Sequence, residues 1–130
     1  MKPSVLFVCR HNTGRSQMAE AYLRHFAGDA VDVSSAGTVA ADAPDPGVVA
    51  IMAEDGIDIS AARPKLLATQ RVDVDRIITM GCDVEGVPRI DDDWGLMDPK
   101  GQPAAVVREI RDTVKAKARR LSDELLARKR

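Results

Sequence analysis

A cysteine and an arginine frame the loop Cys9-Arg10-His11-Asn12-Thr13-Gly14-Arg15-Ser16 in a C-x5-R pattern. An apolar run, Ser4 to Val8, precedes it, and residues on helical spacing follow. A loop so placed suits oxyanion chemistry for three reasons. Consecutive backbone N–H groups from Arg10 to Arg15 can curl into a cradle, because Asn12 and Gly14 tolerate the backbone angles required. The helix beginning here adds the partial positive charge of its N-terminus. Arg15 supplies a planar fork of donors that matches two oxygens of a tetrahedral anion. The same field favours the thiolate of Cys9, and Ser16 can donate a hydrogen bond to it. A thiolate aimed into an anion cradle suits attack on phosphorus or arsenic. The spacing alone is weak evidence, since a cysteine after a strand is most often a small buried hydrophobe. The flanking elements, with Asn, Gly and Ser at these offsets, make it specific. His11 is read as part of the cradle, with no chemical role for its ring.

The elements that must hold this loop follow from periodicity. Ser4 to Val8 reads as a strand buried on both faces. Gln17 to Phe26 carries Met18, Ala21, Tyr22 and Phe26 on one helical face, and Gly28 ends it. Val31 to Ser35 alternates as a strand does. Asp45-Pro46 opens a helix through about Glu54, and Ser60 to Gln70 is expected as a shorter helix with Pro64 in its first turn. Asp75 to Met80 is a further strand, and a short one is expected around Pro88 to Ile90. Pro103 to Arg128 reads as a long amphipathic helix. The order predicts one α/β domain over residues 1–130. Its sheet is mostly parallel, about four-stranded and twisted, with helices on both faces. Ligands in such sheets sit at the carboxyl ends of the strands, where the Cys9 loop lies.

Composition narrows the classes. The 130 residues are 45% hydrophobic and 30% charged, which suits a globular chain and excludes disorder, collagen and membrane spans. Nineteen basic residues against twenty acidic give −1, which excludes a generally basic nucleic-acid surface. Arg108 to Arg130 holds nine basic residues against four acidic, read as a solvated helix face. Two cysteines make no disulfide framework, so a reducing, cytoplasmic setting is expected. The apolar run near the N-terminus is too short for a signal peptide or a membrane span. Asp91, Asp92 and Asp93 read as a solvated acidic stretch, because three adjacent carboxylates cannot all face one ion.

The run from Val8 to Glu20 resembles the phosphate loop of the low-molecular-weight tyrosine phosphatase superfamily. Ser16-Gln17-Met18-Ala19-Glu20 is closer to its arsenate reductase branch than to its phosphatases. Ser34-Ser35-Ala36-Gly37-Thr38, Gly56-Ile57-Asp58-Ile59-Ser60, Ile78-Thr79-Met80-Gly81-Cys82 and Trp94-Gly95-Leu96-Met97-Asp98-Pro99 extend the resemblance over almost the whole chain. It implies a cytoplasmic arsenate reductase, expected as a monomer, with phosphate or sulfate as competing anions. Cys9 and Arg15 take the nucleophile and oxyanion positions. Asp98 takes the general-acid position, which suits protonation of a leaving oxygen. Cys82 takes the position of the first resolving cysteine, whose thiol would reduce the arseno-cysteine. Asn12, Ser16, Glu20 and Ser35 take supporting positions.

Two departures stand out. Thioredoxin-coupled members carry a third cysteine in a Cys-Pro, where this chain has Val87-Pro88. The cycle then ends either with direct reduction of a Cys9–Cys82 disulfide or with a small thiol attacking the arseno-cysteine. The reductants to consider are thioredoxin, mycothiol with mycoredoxin, and glutathione with glutaredoxin; no tightly bound cofactor and no resident metal is expected. Some members also build a potassium site beside the loop, and here Arg63 or Lys65 is expected to replace that ion. A tyrosine phosphatase working through a Cys9 phosphoenzyme is the alternative enzyme. It needs an aromatic-lined slot, yet Lys100-Gly101-Gln102 follow Asp98-Pro99 and aromatic residues are only 3% of the chain. A non-catalytic oxyanion-binding or redox-sensing domain is the alternative outside enzymes.

Overall fold

The computed structural model describes residues 2–127. Four parallel strands lie in the order β2-β1-β3-β4. β1 is Ser4–Cys9, β2 is Asp32–Gly37, β3 is Arg76–Thr79 and β4 is Asp92–Asp93. The helices are α1 (Arg15–Ala27), α2 (Pro46–Glu54) and α3 (Ala104–Ala127). Among the described residues, no helix is long and apolar enough to cross a membrane.

β1 is central and buried at every position, as its unbroken apolar sequence requires. Its side chains alternate between two cores. Val5 and Phe7 face the larger one with Ile78, and all three α-helices pack there through Met18, Tyr22, Val48, Met52, Val114 and Leu121 among others. Leu6 and Val8 face the smaller one with Ala36, Leu67, Val74 and Ile77. The expectation of α-helices on both faces needs correction here. The second face is covered by loop residues and one 3-10 turn, Leu67–Thr69.

That correction has a local cause. Residues 60–70 do not form the expected α-helix, because tertiary partners take their backbone groups. The Lys65 carbonyl accepts from Gly37 N at 2.7 Å, and the Lys65 amide donates to Asn12 Oδ1 at 2.9 Å. Leu66 bridges in parallel to Gly37. The expected strand at Pro88 to Ile90 is also displaced; pairing with β3 falls at Asp92–Asp93, which lie opposite Ile78 and Thr79. The acidic run is thus partly structural: Asp91 accepts from Ile77 N and Asp93 from Thr79 Oγ1. Elsewhere the boundaries shift by a residue or two, and Arg128 of the expected last helix lies outside the described residues.

Two starts and stops explain themselves. Asp45 caps α2, its Oδ1 accepting from Gly47 N at 2.8 Å with Pro46 in the first turn. Gly28 ends α1 with φ +57, a conformation that costs a glycine little. The C-terminal helix is clasped to α2 by Arg108 and Arg111 on Glu54, and by Lys115 on Asp55. Several of the basic residues noted in the sequence therefore hold helices together.

Candidate active site

The loop after β1 closes around the Cys9 sulfur. Cys9 is buried, its Sγ lies 2.7 Å from Ser16 Oγ, and it accepts from the Asn12 backbone N–H at 3.1 Å. Asn12 makes that turn possible. Its φ is +59, and it is the non-glycine residue with positive φ among the described residues. Its buried side chain then fixes the loop from beneath. Nδ2 donates to Ser16 Oγ at 2.7 Å and Ser35 Oγ at 2.9 Å, while Oδ1 accepts from Gln17 Nε2 and Lys65 N. Ser35 in turn donates to Glu20 Oε1 at 2.5 Å. Such a network inside a low-dielectric core rigidifies what it holds. No buried side-chain polar atom among the described residues lacks a partner.

Of the two cations expected to replace an ion beneath the loop, the structure brings in one. Lys65 Nζ lies 3.4 Å from Glu20 Oε1 and 3.5 Å from Ser35 Oγ. Arg63 reaches the network through its main-chain carbonyl, which accepts from Gln17 Nε2 at 3.4 Å. Its side chain does not supply the charge.

Arg15 opens α1 and is buried, held by two carbonyls at the strand ends: Leu96 at 2.9 Å and Met80 at 3.4 Å. These partners fix the guanidinium while leaving donors for an anion. Asp98 Oδ2 stands 4.0 Å from Arg15 Nη2, on a side chain 60% exposed. Asp98 Oδ1 accepts from Lys100 N at 3.0 Å. Cys9, His11, Thr13, Gly14, Arg15 and Asp98 line one cleft of about 460 Å³, whose far wall is Ala41, Ala43, Pro44, Asp45 and Pro46. No Phe, Tyr or Trp lines it. Trp94, the aromatic residue near the Asp98 loop in sequence, is buried against Phe7 with ring centroids 5.2 Å apart.

Cys82 is a free, half-buried thiol two residues past Met80, which follows β3 at the same end of the sheet as Cys9. Burial pushes its thiol above the ordinary range, and the charge of Cys9 adds to that; the Arg15 guanidinium and the Arg10 backbone N–H oppose it. Cys82 packs against the core cluster that includes Cys9, just past the end of the strand that neighbours β1.

Other contributors were less visible in the sequence. Gln17 serves Asn12, and main-chain carbonyls serve Arg15. At Gly37 any Cβ would come within 2.7–2.8 Å of His11 C, Arg10 O and Asn12 N, so only glycine lets the loop lie on the end of β2. Gly81, with φ +95, does the same for the Gly95-Leu96 backbone that carries the carbonyl to Arg15. The signal for Gly37 was a glycine closing a strand; nothing local marked the rest.

The family model for low molecular weight phosphotyrosine protein phosphatases matches residues 4–130. This chain belongs to that family. The proteins it is similar to include several arsenate reductases and, at 26% identity and a TM-score of 0.79, an arginine phosphatase from Geobacillus stearothermophilus. A glutaredoxin arsenate reductase from Synechocystis sp. is 36% identical over 124 residues, covering 90% of this chain and 94% of that protein. A solved arsenate reductase in the phosphate binding state is 34% identical with a TM-score of 0.86, covering 96% of this chain and 99% of that one. A thioredoxin-dependent arsenate reductase from Corynebacterium glutamicum is 37% identical with a TM-score of 0.79, covering 97% of this chain and 63% of that one. The fold expected from the sequence, an α/β domain with a four-stranded parallel sheet, is the fold these proteins have.

Proposed function

We propose that this chain reduces arsenate to arsenite with electrons from an external thiol. The observation that carries the reading is the pair of free thiols: Cys9 at the floor of an anion cleft and Cys82 packed against the core cluster that includes Cys9. A phosphatase needs only the first.

The steps follow from the geometry. Arsenate enters the cradle, where loop N–H groups and the fixed Arg15 fork take its oxygens. The Cys9 thiolate, held by Ser16 Oγ and Asn12 N, attacks arsenic. Asp98, on the cleft wall, protonates the leaving oxygen, which departs as water. The Cys82 thiolate then attacks the Cys9 sulfur. An S–S bond forms, the S–As bond breaks, and its electron pair remains on arsenic, which leaves as arsenite. Arsenic gains two electrons and the two thiols lose them. A protein dithiol, of the thioredoxin or glutaredoxin class, reduces the Cys9–Cys82 disulfide. Lys65 supplies from within the chain the positive charge that a bound cation would place beside Glu20 and Ser35. Activity is therefore expected to be the same in sodium and potassium buffers.

The experiment is arsenite production from arsenate by wild type and Cys82→Ser, with thioredoxin and its reductase, with glutathione and glutaredoxin, and with mycothiol and mycoredoxin. Turnover with a protein dithiol that Cys82→Ser abolishes supports the relay. Turnover that survives Cys82→Ser and needs a small thiol would leave Cys9 as the sole catalytic thiol. No arsenite in any system, with rapid hydrolysis of an aryl phosphate, would replace the reading with phosphatase chemistry at the same Cys9, Arg15 and Asp98. The cleft has no Phe, Tyr or Trp to stack on a phenyl group, so aryl phosphate hydrolysis is expected to be weak.

A further inference from the structure

The two thiols that suit a disulfide also suit a soft trivalent ion. β1 and β3 are parallel neighbours with Val8 opposite Thr79, so Cys9 lies level with Met80. The chain then turns at Gly81, with φ +95, packed on the Gly95-Leu96 backbone, and presents Cys82. Cys82 packs against the same core cluster that holds Cys9. Both thiols are free, and among the described residues no carboxylate is bonded to either sulfur. Arg15, anchored on the Met80 and Leu96 carbonyls, favours the charged form of Cys82.

We propose that the reduced protein binds arsenite, and trivalent thiophilic ions like it, as a chelate bridging Cys9 and Cys82. The inference rests on the arsenate reductase reading for its biological sense, but not for its chemistry. Thiolates are the ligands such soft ions prefer. Binding is a condensation without redox change: As(OH)3 and two thiols give a Cys9–S–As(OH)–S–Cys82 bridge and two waters. A second thiol tethered by the fold makes the second bond intramolecular, which strengthens binding by about a hundredfold or more over one thiol.

The consequence is a particular form of product inhibition. Arsenite leaves a turnover as the disulfide forms, so the oxidised protein has no thiols with which to hold it. Re-reduction restores the pair and with it the site. Arsenite then occupies the nucleophile, competing with arsenate, and the reaction that consumes arsenite must draw it away, by export or by capture on other thiols.

The test uses the reduced full chain in phosphate-free buffer, titrated with sodium arsenite. Thiols that remain reactive are counted with a disulfide reagent, and bound arsenic is measured after gel filtration. The expected result is one arsenic per chain, both thiols protected, and at least about a hundredfold weaker protection of Cys9 in Cys82→Ser. Phosphate protection of Cys9 against alkylation, measured in Cys82→Ser, shows that the loop has kept its shape. Equal arsenite affinity in wild type and Cys82→Ser overturns the chelate, as do two reactive thiols in wild type at millimolar arsenite. Neither readout depends on arsenate reduction. A chain that chelates arsenite yet reduces no arsenate would sink the functional reading alone.

Discussion

At the scale of single residues, the site depends on groups that do no chemistry. Gly37 is the clearest case. A methyl group there would press on three backbone atoms of the loop at 2.7–2.8 Å, and backbone cannot move aside as a side chain can. Gly37→Ala is expected to lower stability by about 1–3 kcal/mol. Displacing the cradle by a fraction of an ångström should also lower kcat/KM for arsenate by about a hundredfold. Thermal unfolding and steady-state kinetics on one preparation check both; an unchanged kcat/KM would show that the loop does not rest on β2 as described. Lys100 governs a different property. It lines the cleft two residues after Asp98 and offers no ring there for an aryl substrate. Lys100→Tyr is expected to raise kcat/KM for an aryl phosphate several-fold, by stacking worth about 0.5–1.5 kcal/mol, and to lower it for arsenate. Assays of both substrates on the variant decide it. The Cys9 to Ser16 loop was legible in the sequence because its residue types and their order are the mechanism. Gln17 and the Lys65 main chain were not, since they act on Asn12 from elsewhere in the fold.

At the scale of elements, local propensity succeeded where an element answers mainly to its own apolar pattern. β1, α1, α2 and α3 are of that kind. It failed for residues 60–70, where Gly37 and Asn12 claim the Lys65 backbone, and for β4, where two aspartates pair with β3 despite their poor strand propensity. The clasp between α2 and α3 was also unreadable, because Glu54 and Arg108 are far apart in sequence. It carries a pH prediction. Hydrogen bonds from Arg108, then Arg111, hold the exposed Glu54 carboxyl down from 4.5 to about 2. A carboxylate depressed in the folded state adds stability that is present above 4.5 and is lost as pH falls toward 2. Wild type should therefore lose stability over this window more steeply than Glu54→Gln, whose neutral residue has nothing to titrate. Urea unfolding at several pH values below 5 measures the two slopes, and parallel slopes would remove Glu54 from the account.

At the scale of the whole molecule, two strand ends place two thiols in different fields, and that difference can order the reaction. Cys82 is held above the ordinary thiol range, first by burial, with the neighbouring Cys9 charge and Asp93 adding to it against Arg15 and the Arg10 amide. A thiol so raised stays protonated at neutral pH, and only its thiolate attacks. In the proposed relay, bonding the Cys9 sulfur to arsenic moves its negative charge onto arsenate oxygens that Arg15 and the loop amides hold. The thiolate charge that opposes ionisation of Cys82 in the resting state is then gone when an adduct is there to be resolved. The consequence can be measured without arsenic. Alkylation of Cys82 by iodoacetamide should rise with pH at a higher midpoint in wild type than in Cys9→Ser, which lacks the opposing charge. In wild type, peptide mapping separates the label on Cys82 from that on Cys9. Superimposed Cys82 profiles would mean that the Cys9 charge does not reach Cys82, and the ordering would have to come from geometry alone. A midpoint lowered in Cys9→Ser would tie the sequence of the two steps to the placement of Cys9 at the end of β1 and Cys82 just past the end of β3.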